Sequence, residues 1–207
     1  SREVIYSGGA LKDANTIEQR DTTIGWDFGE FRSRRAWAHV VGRETGGENP
    51  DEVAVVAALV AEFVQWAQQA GPPRRGSPRV WEVACLSFYV KQERALSRML
   101  QQVTGDDRTT RFSAGGGLVE IVCGTVDRFQ GREADLVVLS MRNAHRVGFL
   151  DSPNRLNVAV TRARQQLVVV GNADYFGKCG INELQELSQR SPRVGDGVVR
   201  KWKRGAR

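Results

Sequence analysis

The sequence predicts an α/β fold in which a parallel sheet is covered by helices on both faces. Short and almost continuously apolar runs, such as Leu136–Leu139 and Leu167–Val170, have the length and composition of strands buried on both faces. These runs alternate with longer segments whose apolar residues repeat at helical spacing. Strands that alternate with helices form parallel sheets through right-handed crossovers, so this order predicts the sheet.

The first elements have clear boundaries. Ala36–Val41 is a predicted strand that Gly42 ends, and residues 25–35, rich in charge, glycine and aromatics, are predicted to be an irregular excursion. A helix then begins with Asn49 as N-cap, Pro50 at the first helical position and Glu52 at the third, and it ends before the Gly-Pro-Pro of residues 71–73. The later predicted strands are Val80–Phe88, Val119–Cys123, Ala134–Met141 and Gln166–Val170, and the later predicted helices are Gln92–Val103, Pro153–Arg164 and Asn182–Gln189.

Residues 104–117 are predicted to be a flexible polar loop. The loop closes with three glycines, but no Gly-Lys-Ser or Gly-Lys-Thr follows them, so they do not indicate a phosphate-binding loop.

The 207 residues are enough for one substantial domain. The excess of positive charge lies towards the C-terminus of the sequence. The formal charge is +6, and residues 151–207 alone hold 11 Lys and Arg against 5 Asp and Glu. Most of this excess lies in residues 190–207, which suits a polyanionic partner. A solvated, flexible tail without a ligand explains the same composition. We therefore predict a domain over residues 1–189 and a flexible basic tail over 190–207.

Composition argues against several other classes of protein. Cys85, Cys123 and Cys179 are far apart and form no CxxC pair, so neither a disulfide framework nor a zinc site is predicted. With only two histidines, a histidine-based metal site has little support, and we predict no bound metal of the domain's own. No stretch reaches the ~20 apolar residues of a membrane span, and no signal peptide is visible. These features predict an intracellular protein.

Two polar segments, Thr125–Asp135 and Arg155–Arg164, are not explained by a core. Gly131 lets the backbone approach a phosphate and the carboxylate of Glu133 can accept from a sugar hydroxyl, although a tight turn with solvated charges has the same pattern. Arg162 and Arg164 stand at the end of a predicted helix, where the helix dipole also favours cations. Guanidinium groups match phosphate geometry, which favours a ligand.

The placement of these segments is predicted from the sheet. Ligands of such sheets gather outside the carboxyl ends of the strands. Thr125–Gly131 follows one predicted strand and Ser87–Gln92 follows another, so we expect the polar residues to share one rim of the sheet.

The two polar segments resemble motifs V and VI of superfamily 1 helicases, in the branch that contains the nonsense-mediated-decay RNA helicase and its DNA-acting relatives. Leu86–Gln92 is similar to motif IV, Val4–Leu11 is similar to the aromatic segment upstream, and Asn49 and Glu52 match as well. The resemblance covers about residues 3–176. It implies the second, C-terminal RecA-like domain of an ATP-dependent helicase or translocase, a P-loop NTPase fold without its own P-loop.

The resemblance also implies roles for residues. Arg162 is the expected arginine finger, which reaches the γ-phosphate of ATP. Gly131 is expected to bring its backbone to the same phosphate and Glu133 to bind the ribose. The expected supporting residues on the nucleotide side are Gln92, Arg132 and Arg164. The expected contacts to single-stranded DNA or RNA are Thr125 and, more weakly, Ser87 and Asn157.

The sequence departs from the family pattern in two ways. Phe88 replaces a usual proline and Arg128 stands where a small residue is common. The chain also contains no GxxxxGK[ST] and no Asp-Glu pair after an apolar strand, which belong to the first RecA-like domain of the family. ATP and Mg²⁺ are therefore expected to be held mainly by that first domain, which is the expected partner, and this chain alone is expected to be inactive.

Two other functions remain open. A helicase-like module that binds nucleic acid or protein without catalysis has the same fold, although it does not need Gly131, Glu133 and Arg162. A nuclease or nucleotidyl transferase needs clustered carboxylates for metal, and the acidic pairs Asp106–Asp107 and Asp127/Asp135 do not indicate such a cluster.

Overall fold

The structure is a computed structural model that describes residues 26–29, 33–73, 80–143, 145, 147–148 and 153–205, without the side chains of residues 153, 154, 157, 158 and 205. The upstream resemblance at Val4–Leu11 and part of the predicted excursion at 25–35 lie outside these residues. Of the excursion, Trp26 and Phe28 are buried and pack edge-to-face against Phe63.

Six strands form one mixed sheet with the order β1-β6-β5-β2-β4-β3. The strands are β1 (Arg35–His39), β2 (Trp81–Ser87), β3 (Arg111–Ala114), β4 (Val119–Thr125), β5 (Ala134–Ser140) and β6 (Ala163–Gly171). All neighbouring pairs are parallel except β3 and β4, which are antiparallel. The predicted α/β class is confirmed.

Helices cover both faces of the sheet. They are α1 (Pro50–Ala70), α2 (Val90–Thr104), α3 (Pro153–Val160), α4 (Ala173–Phe176), α5 (Asn182–Arg190) and α6 (Asp196–Gly205). Apolar residues of α1, α2 and α6 share one buried cluster, and those of α3, α4 and α5 share the other. The alternating apolar runs thus form a sheet with a core on each side.

Helix α1 begins as the sequence predicts. The Asn49 side chain accepts from the backbone N–H of Glu52, and Pro50 occupies the first turn. The helix has 21 residues, and an 18-residue window within it has a mean hydropathy of 1.3, so by length and composition alone it passes for a membrane span. Its apolar residues Val56, Val60 and Phe63 are fully buried in the core, which is the usual situation of a core helix.

The predicted loop 104–117 is wrong in part, because it contains strand β3. Phe112 is buried while Arg111 is exposed, the alternation of an edge strand with one face on the core. Four residues beside a glycine run are too few for this alternation to be visible in the sequence.

The basic C-terminal segment also differs from the expected flexible tail. Residues 196–205 form α6, whose Val199 and Trp202 are buried against α1. Before the helix, Val194 donates its backbone N–H to the carbonyl of Trp37 at 2.9 Å, which ties the segment to β1. Two apolar residues three positions apart give α6 a core-facing side, and its cations occupy the solvent side.

Candidate functional site

Three hydroxyl side chains form a row where parallel strands end. Ser87, Thr125 and Ser140 are the last residues of β2, β4 and β5, and the register places Ser87 beside both of the others. We call this side of the sheet the carboxyl edge. Ser87 is fully buried and its Oγ accepts from the Tyr89 N–H at 3.4 Å. Thr125 is 6% exposed, and within the described residues its hydroxyl makes no hydrogen bond.

A buried polar network lies directly behind this row. Its centre is the Glu52 carboxylate, which accepts from the Ser140 hydroxyl at 2.6 Å, from the Arg142 N–H at 2.8 Å and from the Asn49 amide at 3.1 Å. Gln92 donates to Ser140 Oγ at 2.9 Å and accepts from the Asn49 N–H at 2.8 Å. The network joins α1, α2 and β5.

Glu52 is the most strongly perturbed acid of this network. Burial raises its pKa from 4.5 to about 8, although the hydrogen bonds from Ser140 and Arg142 act in the opposite direction. The buried surroundings of Glu52 therefore favour its protonated form.

Gln92, predicted to support a nucleotide, is fully buried within this network. Its amide contacts Asn49 and Ser140, so in this structure it braces the carboxyl edge and faces no open surface.

Arg142 was missed from the sequence, although it follows a strand just as the polar segments do. Its backbone has φ +63°, the left-handed region that L-residues rarely adopt. Its guanidinium lies 3.4 Å from the centroid of the Tyr89 ring and donates to Asn143 Oδ1 at 2.8 Å. A salt bridge of 3.8 Å to Glu44 completes its surroundings. These contacts hold a cation beside the row of hydroxyls.

The other predicted nucleotide residues meet at the opposite side of the sheet. Gly131, Arg132 and Glu133 lead into the first residue of β5, and Arg162 directly precedes β6. The Arg162 guanidinium donates to the Arg132 carbonyl at 3.5 Å, and the Ala134 N–H donates to the Arg162 carbonyl at 3.0 Å. Gly131 has φ +81° and open space at its α-carbon, so a ligand can approach its backbone. We call this side the amino edge.

Arg164 lies at the amino edge too, but in a strand. The predicted helix over Pro153–Arg164 ends at Val160, because Ala163 already pairs with Ala134 in the sheet. Arg164 forms ion pairs with Asp135 on the adjacent strand β5 and with Glu82 on β2, the strand beyond it. Partial burial would lower its pKa, but these two carboxylates raise it above the ordinary value. Its contacts hold three strands together at their starts.

The expectation that the polar residues share one rim is therefore wrong in part. Thr125 and Ser87 lie side by side at the carboxyl edge, whereas Gly131, Glu133 and Arg162 lie at the amino edge, because the chain crosses from one edge to the other between Thr125 and Ala134. The side chain of Asn157 lies outside the described residues. Among the residues that the structure describes, no group of three His, Cys, Asp or Glu is arranged to hold a metal ion.

Comparison with known proteins identifies the family. A model of an AAA domain matches residues 1–174. The chain belongs to this AAA domain family. A DNA polymerase α-associated DNA helicase A of Saccharomyces cerevisiae is 48% identical over 89% of this chain. Homologues of regulator of nonsense transcripts 1 from Arabidopsis thaliana and Neurospora crassa are each 50% identical, over 82% and 81% of it.

These relatives confirm that the AAA domain is of the superfamily 1, nonsense-mediated-decay-helicase-like type. The AAA domain spans only a part of each of them, 27% of the yeast helicase, 13% of the Arabidopsis protein and 15% of the Neurospora protein. The large terminase of bacteriophage HK97 aligns with 67% of this chain and 29% of its own at a TM-score of 0.41 and 10% identity. The fold assignment rests on the sheet itself.

Proposed function

We propose that this AAA domain is the C-terminal motor domain of an ATP-dependent nucleic-acid helicase or translocase. It supplies the arginine finger and part of the binding site for single-stranded nucleic acid. The observation that carries the proposal is the meeting of Arg162 with the Gly131–Glu133 turn at one edge of the sheet. The family and its helicase relatives support the same activity.

The amino edge is the proposed nucleotide face. Arg162 stabilises the charge that develops on the γ-phosphate during phosphoryl transfer, and the Gly131 backbone approaches the same phosphate. Glu133 is exposed and accepts from the ribose. Arg132 packs 5.4 Å from the centroid of the Phe129 ring and supports the turn.

On this face Arg164 has a positioning role, since its guanidinium is occupied by Asp135 and Glu82. The described residues offer guanidinium and backbone donors for phosphate, but among them no group of three His, Cys, Asp or Glu is arranged to hold a metal ion. ATP and Mg²⁺ are accordingly held mainly by a first RecA-like domain of the parent protein, which is the partner of this face.

The carboxyl edge is the proposed nucleic-acid face. The Thr125 hydroxyl donates to a phosphate of single-stranded DNA or RNA, which requires no base recognition. Asn157 is a second candidate, and Ser87 is a weaker one because it is fully buried. Gln92 contributes indirectly by holding Ser140 and Asn49 in place. The protein is proposed to act inside the cell and away from membranes.

The test uses the parent protein that contains this chain. Arg162→Ala is expected to lower kcat for nucleic-acid-stimulated ATP hydrolysis by about 10³-fold or more, the usual effect of losing an arginine finger. Affinity for single strands in the absence of nucleotide is expected to stay unchanged, because Arg162 lies at the amino edge. Arg111→Ala, an exposed arginine on β3, is the matched control.

Two results would contradict the assignment. A parent protein without ATPase activity would favour the catalytically inert module. Full activity of Arg162→Ala in a protein that does hydrolyse ATP would show that Arg162 is not the arginine finger. The chain alone is expected to bind single strands without hydrolysing ATP.

A further inference from the structure

The solvent side of α6 carries four cations that the core does not use. Arg200, Lys201 and Arg204 are exposed, and together with Gly197 they line a shallow depression of about 490 Å³. Lys201 and Lys203 bind Glu62 and Asp51 of α1 at 2.7 and 3.2 Å. Within the described residues, Arg200 and Arg204 form no ion pair.

The contact of Lys203 with Asp51 fixes where the C-terminal turn of α6 lies on the domain. Asp51, the partner of Lys203, is the second residue of α1, and its neighbour Glu52 contacts Ser140 and Arg142 at the carboxyl edge. The C-terminal turn of α6 therefore stands beside the carboxyl edge, on the same side as Thr125.

Two exposed cations lie between α6 and Thr125 along this edge. Arg43 is in the loop that leaves β1, and Lys91 is in the first turn of α2, where its amine donates to the Gly46 carbonyl at 3.0 Å. The intervening acids are already engaged, Glu44 by Arg142, Glu48 by Arg98 and Asp51 by Lys203. The excess charge along the edge is therefore positive.

We infer that the basic face of α6 is a phosphate-contacting extension of the single-strand site, so that the bound strand runs along the carboxyl edge from Thr125 past Lys91 and Arg43 to Arg200 and Arg204. This inference rests on the proposed function. Four strand spacings separate β1 from β4, which is about 19 Å, a distance that a strand of several nucleotides spans. Phosphate is the recognised group, because the cations are spaced along an edge and guanidinium groups match phosphate geometry.

The test is fluorescence anisotropy of the chain with labelled single strands of about 4 and about 12 nucleotides over a range of salt concentrations. The variants are Arg200→Gln/Arg204→Gln, its charge-retaining counterpart Arg200→Lys/Arg204→Lys, and Thr125→Ala. The matched control Arg111→Gln/Arg190→Gln removes the same charge from β3 and from the end of α5. Thermal unfolding of each variant confirms that the fold is kept.

We expect Arg200→Gln/Arg204→Gln to reduce the slope of log affinity against log salt by about 1.4 for the longer strand, since each single-strand phosphate contact contributes about 0.7. The glutamine variant should bind the shorter strand as the wild type does. The lysine variant should bind both strands as the wild type does. Suppose that the wild type binds the strands and that Thr125→Ala weakens this binding. If the glutamine variant then has the same salt slope as its control, the α6 inference is wrong but the proposed single-strand site at Thr125 is supported. If the wild type binds neither strand, the proposed single-strand site itself is wrong.

Discussion

Replacing Glu52 by glutamine isolates the charge of the buried carboxyl group. Glu52 is fully buried and receives hydrogen bonds from Ser140, Arg142 and Asn49. Burial raises its pKa to about 8. The folded protein therefore holds a proton on Glu52 over a pH range in which the unfolded chain, with an ordinary pKa near 4.5, has released it.

The sign and size of the effect follow from this difference. As pH rises from about 4.5 to about 8, the unfolded state binds fewer protons than the folded state, so the free energy of unfolding falls. The fall is about 1.4 kcal/mol for each pH unit and on the order of 5 kcal/mol at most over the whole window. Below the window both states are protonated, and above it both are ionised.

Urea unfolding of wild type and Glu52→Gln at several pH values measures this contribution. The glutamine amide faces the Asn49 amide, so the variant carries a constant offset, but it has no proton to release. The difference in unfolding free energy between variant and wild type should therefore shift in favour of the variant as pH rises through the window. A difference that stays constant from about pH 5 to pH 8 would refute the raised pKa.

Three further predictions test other parts of the structure. Trp202→Ala should lower the free energy of unfolding by about 3–5 kcal/mol in urea titrations, whereas Trp202→Phe should cost less because the buried indole N–H has no hydrogen-bond partner among the described residues. Arg164→Ala should cost about 1–2 kcal/mol by the same assay, because two carboxylates lose their cation, and Arg108→Ala, which breaks an exposed pair, should cost less. Gly42→Ala should cost about 1–2 kcal/mol, measured by thermal unfolding, because the new methyl group overlaps the Asn49 cap.

Local signals were sufficient to predict most of the fold. The Asn49 cap, Pro50 and the apolar repeat of α1 are effects within one helix, and the apolar runs of β5 and β6 are buried on both faces wherever the sheet places them. The end of α3 was not predictable in this way. Ala163 and Arg164 leave the helical pattern because they pair with β5, a partner that lies about 30 residues away in sequence.

The sequence proposes candidate site residues but not their arrangement. The two polar segments and their resemblance to helicase motifs V and VI single out Gly131, Glu133 and Arg162, but only strand direction shows that these residues lie at the amino edge while Thr125 lies at the other. Gln92 is polar and follows a strand, so the sequence cannot distinguish a ligand contact from a buried brace. Arg142 stands out through its positive φ and its contact with Tyr89, neither of which has a sequence signal.

The separation of the two edges restricts how the proposed motor works. Strand β5 has seven residues, so the turn before it and Ser140 at its end are about 20 Å apart. Strand β5 is buried along its whole length, and a close-packed protein core transmits motion as a unit. Under the proposed function, a change at Arg162 upon hydrolysis would therefore reach Thr125 by movement of the whole domain against a first RecA-like domain, as in closure between two lobes. A contact between α6 and the nucleic-acid strand would move with the same rigid domain. Such a contact would extend the single-strand site without requiring a second mobile element.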